Sequence, residues 1–212
     1  MAPHNEWYLN DCVLNSYFTL IKKHNQNVYA FDTYFYERFK ISGYDSVQRW
    51  TKKVNIFSKK KVFFPINVLR FNFAHWILIV ADMEKQELIY YDSLAHNYEF
   101  KIQCKIFDYL VAEHRRKLGK DLPIEDWNFV KGFNPMQSNG TDCGVFVCTI
   151  AEYLSRDAAF NFSQPNMLSF RKLIALELTS QELIKVDEEG DAFDREITRI
   201  TKKFLKNNLI LS

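Results

Sequence analysis

The residues Ala74-His75-Trp76-Ile77-Leu78-Ile79-Val80-Ala81 form a nearly unbroken apolar run, Asp82-Met83-Glu84-Lys85-Gln86 is a polar break, and Glu87-Leu88-Ile89-Tyr90-Tyr91-Asp92 is strand-like again. Two such runs about a short polar turn predict a β-hairpin. Folding about the turn sets Asp92 opposite Ile77 or a near neighbour. His75 then lies one diagonal step away on the same face, at roughly 7–8 Å between backbones, a gap that side chains can span. The spacing therefore permits a His75–Asp92 pair.

Alternating blocks surround this hairpin, without an internal repeat. Apolar spacing at Val13, Leu14, Tyr17, Phe18 and Ile21 predicts a helix over Asn10 to Lys22. A second helix is predicted over Val28 to Phe39, where Phe31, Phe35 and Phe39 recur every four residues and are expected in the core rather than in a binding box. Val47 to Lys53 is expected to be a short helix, Lys61 to Asn67 a strand, Tyr98 to Leu118 a long helix, and Trp127 to Val130 a further strand. Cys143 to Leu154 and Met167 to Ile184 read as helices. The resulting class is α+β, with the sheet in the middle and the Cys143 helix against it. Residues 1–190 are expected to form one domain. Residues 191–212 form a helical extension whose stripe of Phe193, Ile197, Ile200, Phe204 and Leu209 packs on it.

Cys143 gives the His75–Asp92 pair a chemical meaning. It sits in Gly140-Thr141-Asp142-Cys143-Gly144, at the start of the apolar helix, with Thr141 or Asp142 as its N-cap. A helix N-terminus presents free N–H groups and the positive end of a dipole, both of which favour a thiolate. Cys148, one turn further in, lacks that setting and is read as core. A thiol hydrolase needs an imidazole to take the thiol proton and a carboxylate to fix the imidazole's tautomer. His75 and Asp92 fit those roles, and the amide of Gln137, six positions before the cysteine, suits a developing oxyanion.

Composition narrows the alternatives. With 212 residues, 47% of them hydrophobic and 25% charged, the chain can bury a substantial core as one domain. A net charge of +2 with dispersed Lys and Arg does not indicate nucleic-acid binding. Lys59-Lys60-Lys61 and Arg115-Arg116-Lys117 read as a solvated loop and helix end, and the first is too short for a nuclear signal. Four cysteines without CxxC spacing, and no secretory leader before them, lead us to expect a reducing intracellular compartment and no structural metal. No apolar stretch reaches the length of a membrane span.

Several blocks, in order along most of the chain, carry a family resemblance. They are Tyr8-Leu9-Asn10-Asp11, Tyr44 through Phe57 with its Arg49-Trp50-Thr51-Lys52-Lys53, His75-Trp76, Tyr90-Tyr91-Asp92-Ser93, Gln137 through Gly144, Asn161 through Gln164, and Phe170-Arg171-Lys172. Together they resemble the catalytic domain of the SUMO-specific Ulp/SENP cysteine proteases. The resemblance implies a papain-like α+β fold, a central mixed sheet flanked by helices, and hydrolysis of the bond after the Gly-Gly end of SUMO, in deconjugation or precursor processing. It implies a triad of Cys143, His75 and Asp92, with Gln137 and the backbone N–H of Cys143 as oxyanion hole, and no cofactor. The partners implied are SUMO and SUMO-conjugated proteins, the chain acting as a monomer in the nucleus or at the nuclear envelope.

At the recognition surface, Trp76 would roof a narrow channel that admits only glycines, Asp11 would meet a basic side chain of the modifier, and Tyr34 stands where the family has a phenylalanine that touches it. Trp50 fits either core or interface. The family has a tryptophan before Leu-Asn-Asp as the channel's other wall; here that position is Tyr8, and the tryptophan is Trp7. The family domain also carries residues before this block, so the sequence is expected to be either a short form or one that lacks an N-terminal segment helping to hold the modifier. Three alternatives stay open: a same-clan protease for another ubiquitin-like modifier, a SUMO-binding module that does not cleave, and an acyltransferase on the same fold.

Overall fold

A computed structural model describes residues 8–70, 73–94, 98–186 and 189–209. Its elements are α1 (Asp11–His24), β1 (Val28–Ala30), α2 (Phe35–Ser42), β2 (Lys61–Arg70), β3 (Phe73–Asp82), β4 (Glu87–Tyr91), α3 (Phe100–Leu118), β5 (Asn128–Lys131), α4 (Cys143–Ser155), α5 (Met167–Ser180) and α6 (Gly190–Leu209). The five strands lie in chain order. β2, β3 and β4 are antiparallel neighbours, and β1 and β5 join the two edges in parallel, which makes the sheet mixed.

The predicted hairpin is the centre of this sheet. Asp82 pairs with Glu87 and Leu78 with Tyr91, so one further step brings Asp92 level with Ile77, as the spacing anticipated. Alternation along β3 sends Trp76, Leu78 and Val80 into a core shared with α1, α4 and α5. Ile77, Ile79 and Ala81 enter a second core with α2 and α3. A strand covered on both faces can be apolar at nearly every position, which explains the unbroken run. α4 is buried at almost every position for a related reason, being enclosed between the sheet and α1 and α5.

Two expected helices differ in the structure. Over 28–39, Val28–Ala30 is instead a strand, parallel to Lys61–Phe63, and the helix begins only at Phe35. Pairing with β2 overrides the four-residue phenylalanine spacing, yet Phe31, Phe35 and Phe39 are all buried together as expected. Over 47–53 the backbone makes successive tight turns, with i to i+3 bonds such as Trp50 N–H to Val47 O and Val54 N–H to Thr51 O. The fully buried Glu113 of α3 organises this segment. It accepts from the Tyr44 and Thr51 hydroxyls and from Arg116, while Lys117 donates to the Thr51 carbonyl. These anchors outweigh the weak helical pattern.

The first core also contains Phe193 and Ile197 of α6. Beside them, the buried Glu177 of α5 accepts from the Tyr17 hydroxyl at 2.7 Å and from the Ile184 N–H at 2.8 Å, tying α1 and the segment after α5 together. Burial pushes the Glu177 carboxyl up to about 7. Because this folded-state value lies above the unfolded one, the proton stabilises the fold at low pH, and that contribution is lost as pH rises through 7. The loss between pH 6 and 8 is on the order of 1 kcal/mol. Glu177→Gln does not titrate, so its melting temperature relative to the parent should rise by about 2–4 °C across that interval. A pH-independent difference in thermal melts would show that Glu177 does not titrate there.

Candidate active site

The end of the hairpin delivers the first two groups of the site. His75 and Asp92 are almost fully buried, with Nε2 of the imidazole 2.7 Å from Oδ1 of the carboxylate. That oxygen also accepts the Leu94 N–H, and the Asn134 side chain donates to the Asp92 carbonyl, so Asp92 is itself held. With Nε2–H given to Asp92, Nδ1 is the nitrogen left to act as base.

Cys143 opens α4 and is buried against β3. Burial pushes its thiol up, while the backbone N–H groups of Trp76, Gly144 and Cys143 itself pull it down by favouring the thiolate. Burial wins, so the helix terminus alone does not ionise this thiol, contrary to the simplest reading of its position. The contact with the Trp76 N–H places the sulfur at the peptide that joins His75 to Trp76. Cys148 is fully buried and its thiol is pushed up much further, as expected of a core cysteine.

Gln137 is fixed at both ends of its amide. Oε1 accepts from the Ser93 hydroxyl at 2.5 Å, and Nε2 donates to the Asn139 carbonyl at 2.6 Å. Its backbone N–H reaches the Ser93 carbonyl as well, so the residue after Asp92 holds Gln137 through both main chain and side chain. One amide N–H remains for a ligand. Ser93, Asn134 and Asn139 are supports that sequence reasoning did not single out; Ser93 and Asn139 fall inside blocks already noted, but nothing in their spacing declared a role.

Trp76 lies on the opposite face of β3 from His75, is 3% exposed, and donates its indole N–H to the Leu9 carbonyl. This pins the segment before α1 across the site. A Cβ on Gly144 would stand 2.9 Å from the Leu9 Cβ and 3.3 Å from the Trp76 ring, so only glycine permits this approach. Tyr8 is half-buried, and its hydroxyl would be 3.9 Å from a Cβ on Gly140, next to the nucleophile's loop. Trp7 lies outside the described residues.

The outlying candidates divide. Asp11 and Tyr34 line one surface groove with Glu37, Lys40 and Leu69, and the Asp11 charge, followed by burial, raises the exposed Tyr34 phenol. The groove's β2 wall, Asn67 to Leu69, pairs with Trp76 to Ala74, so it lies one strand from the triad. Trp50 does not line it. It is 37% exposed and rests edge-on against Phe35, 5.6 Å between ring centroids.

Residues 7–183 match the family model described as Ulp1 protease family, C-terminal catalytic domain. The chain belongs to this family. Among curated relatives, mouse sentrin-specific protease 2 is 37% identical over 188 residues, 85% of this chain and 31% of that protein. Ubiquitin-like-specific protease 1 of Saccharomyces cerevisiae is 33% identical over 180 residues, 82% of this chain and 27% of that protein. The chain thus spans about a third of the length of these relatives. The solved C-terminal Ulp1 protease domain in complex with Smt3, the yeast ortholog of SUMO, is 32% identical, covers 86% of this chain and 80% of that chain, and superposes with a TM-score of 0.74. The expected papain-like α+β fold is the one these structures share. Among the described residues no helix is long and apolar enough to cross a membrane, and no cluster of His, Cys, Asp and Glu could hold a metal.

Because the family's site is closed this tightly, Gly144→Ala should lower stability by about 1–3 kcal/mol through overpacking against Leu9 and Trp76. Chemical denaturation will measure it. An unchanged midpoint would mean that α4 and the Leu9 segment have slack between them.

Proposed function

We propose that this chain is a cysteine isopeptidase that hydrolyses the bond after the C-terminal Gly-Gly of SUMO, in deconjugation and in precursor processing. One observation carries the reading: a buried His75–Asp92 pair ends beside Cys143, with the clamped amide of Gln137 on the same loop. The family membership and the solved relative's complex with Smt3 support SUMO as the modifier.

In the cycle, Nδ1 of His75 takes the Cys143 proton as the sulfur attacks the glycine carbonyl. The free N–H of Gln137 and the backbone N–H of Cys143 receive the oxyanion. Collapse of the tetrahedral species transfers the proton from His75 to the leaving lysine amine. Water, deprotonated by His75, then hydrolyses the thioester and regenerates the thiol. Asp92 keeps the imidazole in its working tautomer throughout, and no metal or cofactor enters any step. Trp76 and Tyr8 wall the channel to the thiol, and a side chain on the last two substrate residues would meet these rings, so selectivity for glycine follows from exclusion. The groove of Asp11 and Tyr34 receives the folded body of the modifier, with Trp50 at its margin. The helical extension that begins at Asp191 packs on this catalytic domain through Phe193 and Ile197. By resemblance to its family the enzyme works as a monomer in a reducing compartment, in the nucleus or at the nuclear envelope.

Gly-Gly electrophile probes built on SUMO, ubiquitin and other modifiers test the reading. A covalent adduct at Cys143 with the SUMO probe is expected. Failure of every probe would overturn the enzyme, and labelling only by another modifier would overturn the specificity. Asp92→Asn should reduce kcat by about 10³–10⁴-fold while leaving capture of SUMO intact. Trp76→Ala removes a core side chain and would also cost about 3–5 kcal/mol, so Trp76→Phe is the cleaner probe of the channel wall.

A further inference from the structure

Asp142 immediately precedes the nucleophile and occupies the N-cap position of α4, yet its carboxylate caps nothing. Aspartate at that position ordinarily accepts from the free N–H groups of the first turn. Here it is drawn away. Oδ1 accepts from Arg171 Nε at 2.9 Å and Nη2 at 2.6 Å, and Oδ2 accepts from Asn139 Nδ2 at 2.6 Å and Gln164 Nε2 at 2.7 Å. Arg171 Nη2 also donates to the Thr141 carbonyl, and Gln164 Oε1 accepts the Ser138 N–H. Asn139 passes the constraint on, since its Oδ1 accepts from the Thr141 and Asp142 N–H groups and its carbonyl holds the Gln137 amide.

We propose that Arg171 is a positioning residue for the hydrolysis, holding the Asp142 carboxylate off the N-terminus of α4 so that the N–H groups there serve the Cys143 sulfur and the oxyanion. The inference rests on the hydrolase reading above. Two anions would otherwise compete for the same donors. The Cys143 and Gly144 N–H groups already favour the thiolate, and the Asp142 charge opposes it. Burial would raise the Asp142 carboxyl, but the bonds from Asn139, Arg171 and Gln164 outweigh it and hold the group below its usual range, so the charge is permanent near neutrality and must be kept aimed elsewhere. The charged group that acts on the thiol is Asp142, backed by Arg171 from α5, while the His75–Asp92 pair is joined to the sulfur through the Trp76 N–H, one residue after His75.

The test combines kcat and KM on a SUMO fusion with the pH profile of Cys143 alkylation by iodoacetamide, read by mass spectrometry. In Arg171→Ala the freed carboxylate should cap α4. We expect kcat to fall about 10²-fold, the loss typical of one oxyanion donor, with KM within three-fold. The alkylation midpoint should move up by at least about half a pH unit, because an unshielded like charge disfavours the thiolate. Arg171→Lys should restore most of both. A merely structural arginine would lower the melting temperature without moving the midpoint. If Arg171→Ala does not fold, Arg171→Gln, neutral and of similar length, is measured in its place. A folded neutral variant with an unmoved midpoint overturns the inference. Since alkylation needs no modifier, that profile decides the role of Arg171 even if the parent cleaves no SUMO substrate, a result that would count against the hydrolase reading alone.

Discussion

Everything in this molecule is hung on the alternation of side chains along β3. One strand, paired on both edges, gives its even positions to the core of α1, α4 and α5 and its odd positions to the core of α2 and α3. A slip by one residue would exchange the two sets, and with them His75 and Trp76. The proposed base, His75, and the proposed channel wall, Trp76, are therefore separated by the same pleat that separates the two cores. Their relation is as rigid as the sheet.

The site then assembles at the end of that strand from parts that fix one another. β4 stops pairing at Tyr91, which frees Asp92 to turn its carboxylate to His75 and Ser93 to hold Gln137. The loop after β5 runs back along the same segment. Gly132 bonds to Tyr90, Asn134 to Asp92 and Gln137 to Ser93, each by a hydrogen bond to a main-chain carbonyl. A Cβ on Gly132 would stand 2.4 Å from the Tyr91 ring, so this close return also depends on glycine. Gln137 and Asp92, proposed as oxyanion donor and base-orienting carboxylate, are thus neighbours through backbone.

How legible this was depended on whether the cause was local. The hairpin could be read because its register follows from the polar turn between two apolar runs, and the Cys143 helix because its apolar run and start are contiguous in sequence. The strand at Val28 could not, since its reason is a partner more than thirty residues away at Lys61. Asp142 stands at the N-cap of α4, as its residue type and position announce, but its carboxylate makes no cap bond. The cause is again distant: Arg171, on another helix, together with Asn139 and Gln164 draws it away. Ser93 and Asn139 are legible as polar residues near the motif, but their aim toward Gln137 is a product of the loop's path.

The Arg49-Trp50-Thr51-Lys52-Lys53 block illustrates how a motif that marks a family can be fixed by packing. Thr51 is fully buried on Glu113, the Trp50 ring rests on Phe35, and Lys117 grips the Thr51 carbonyl. Removing the Glu113 carboxylate would leave the Tyr44 and Thr51 hydroxyls and Arg116 without their shared acceptor, so the block is demanded first by architecture. Its link to the groove is through packing. It holds the surface beside Phe35, and α2 begins there, one residue after Tyr34, which lines the groove with Asp11. Tyr34 and Lys40 expose aromatic surface and charge in that groove, whereas Thr51 of the block that most clearly announces the family is fully buried.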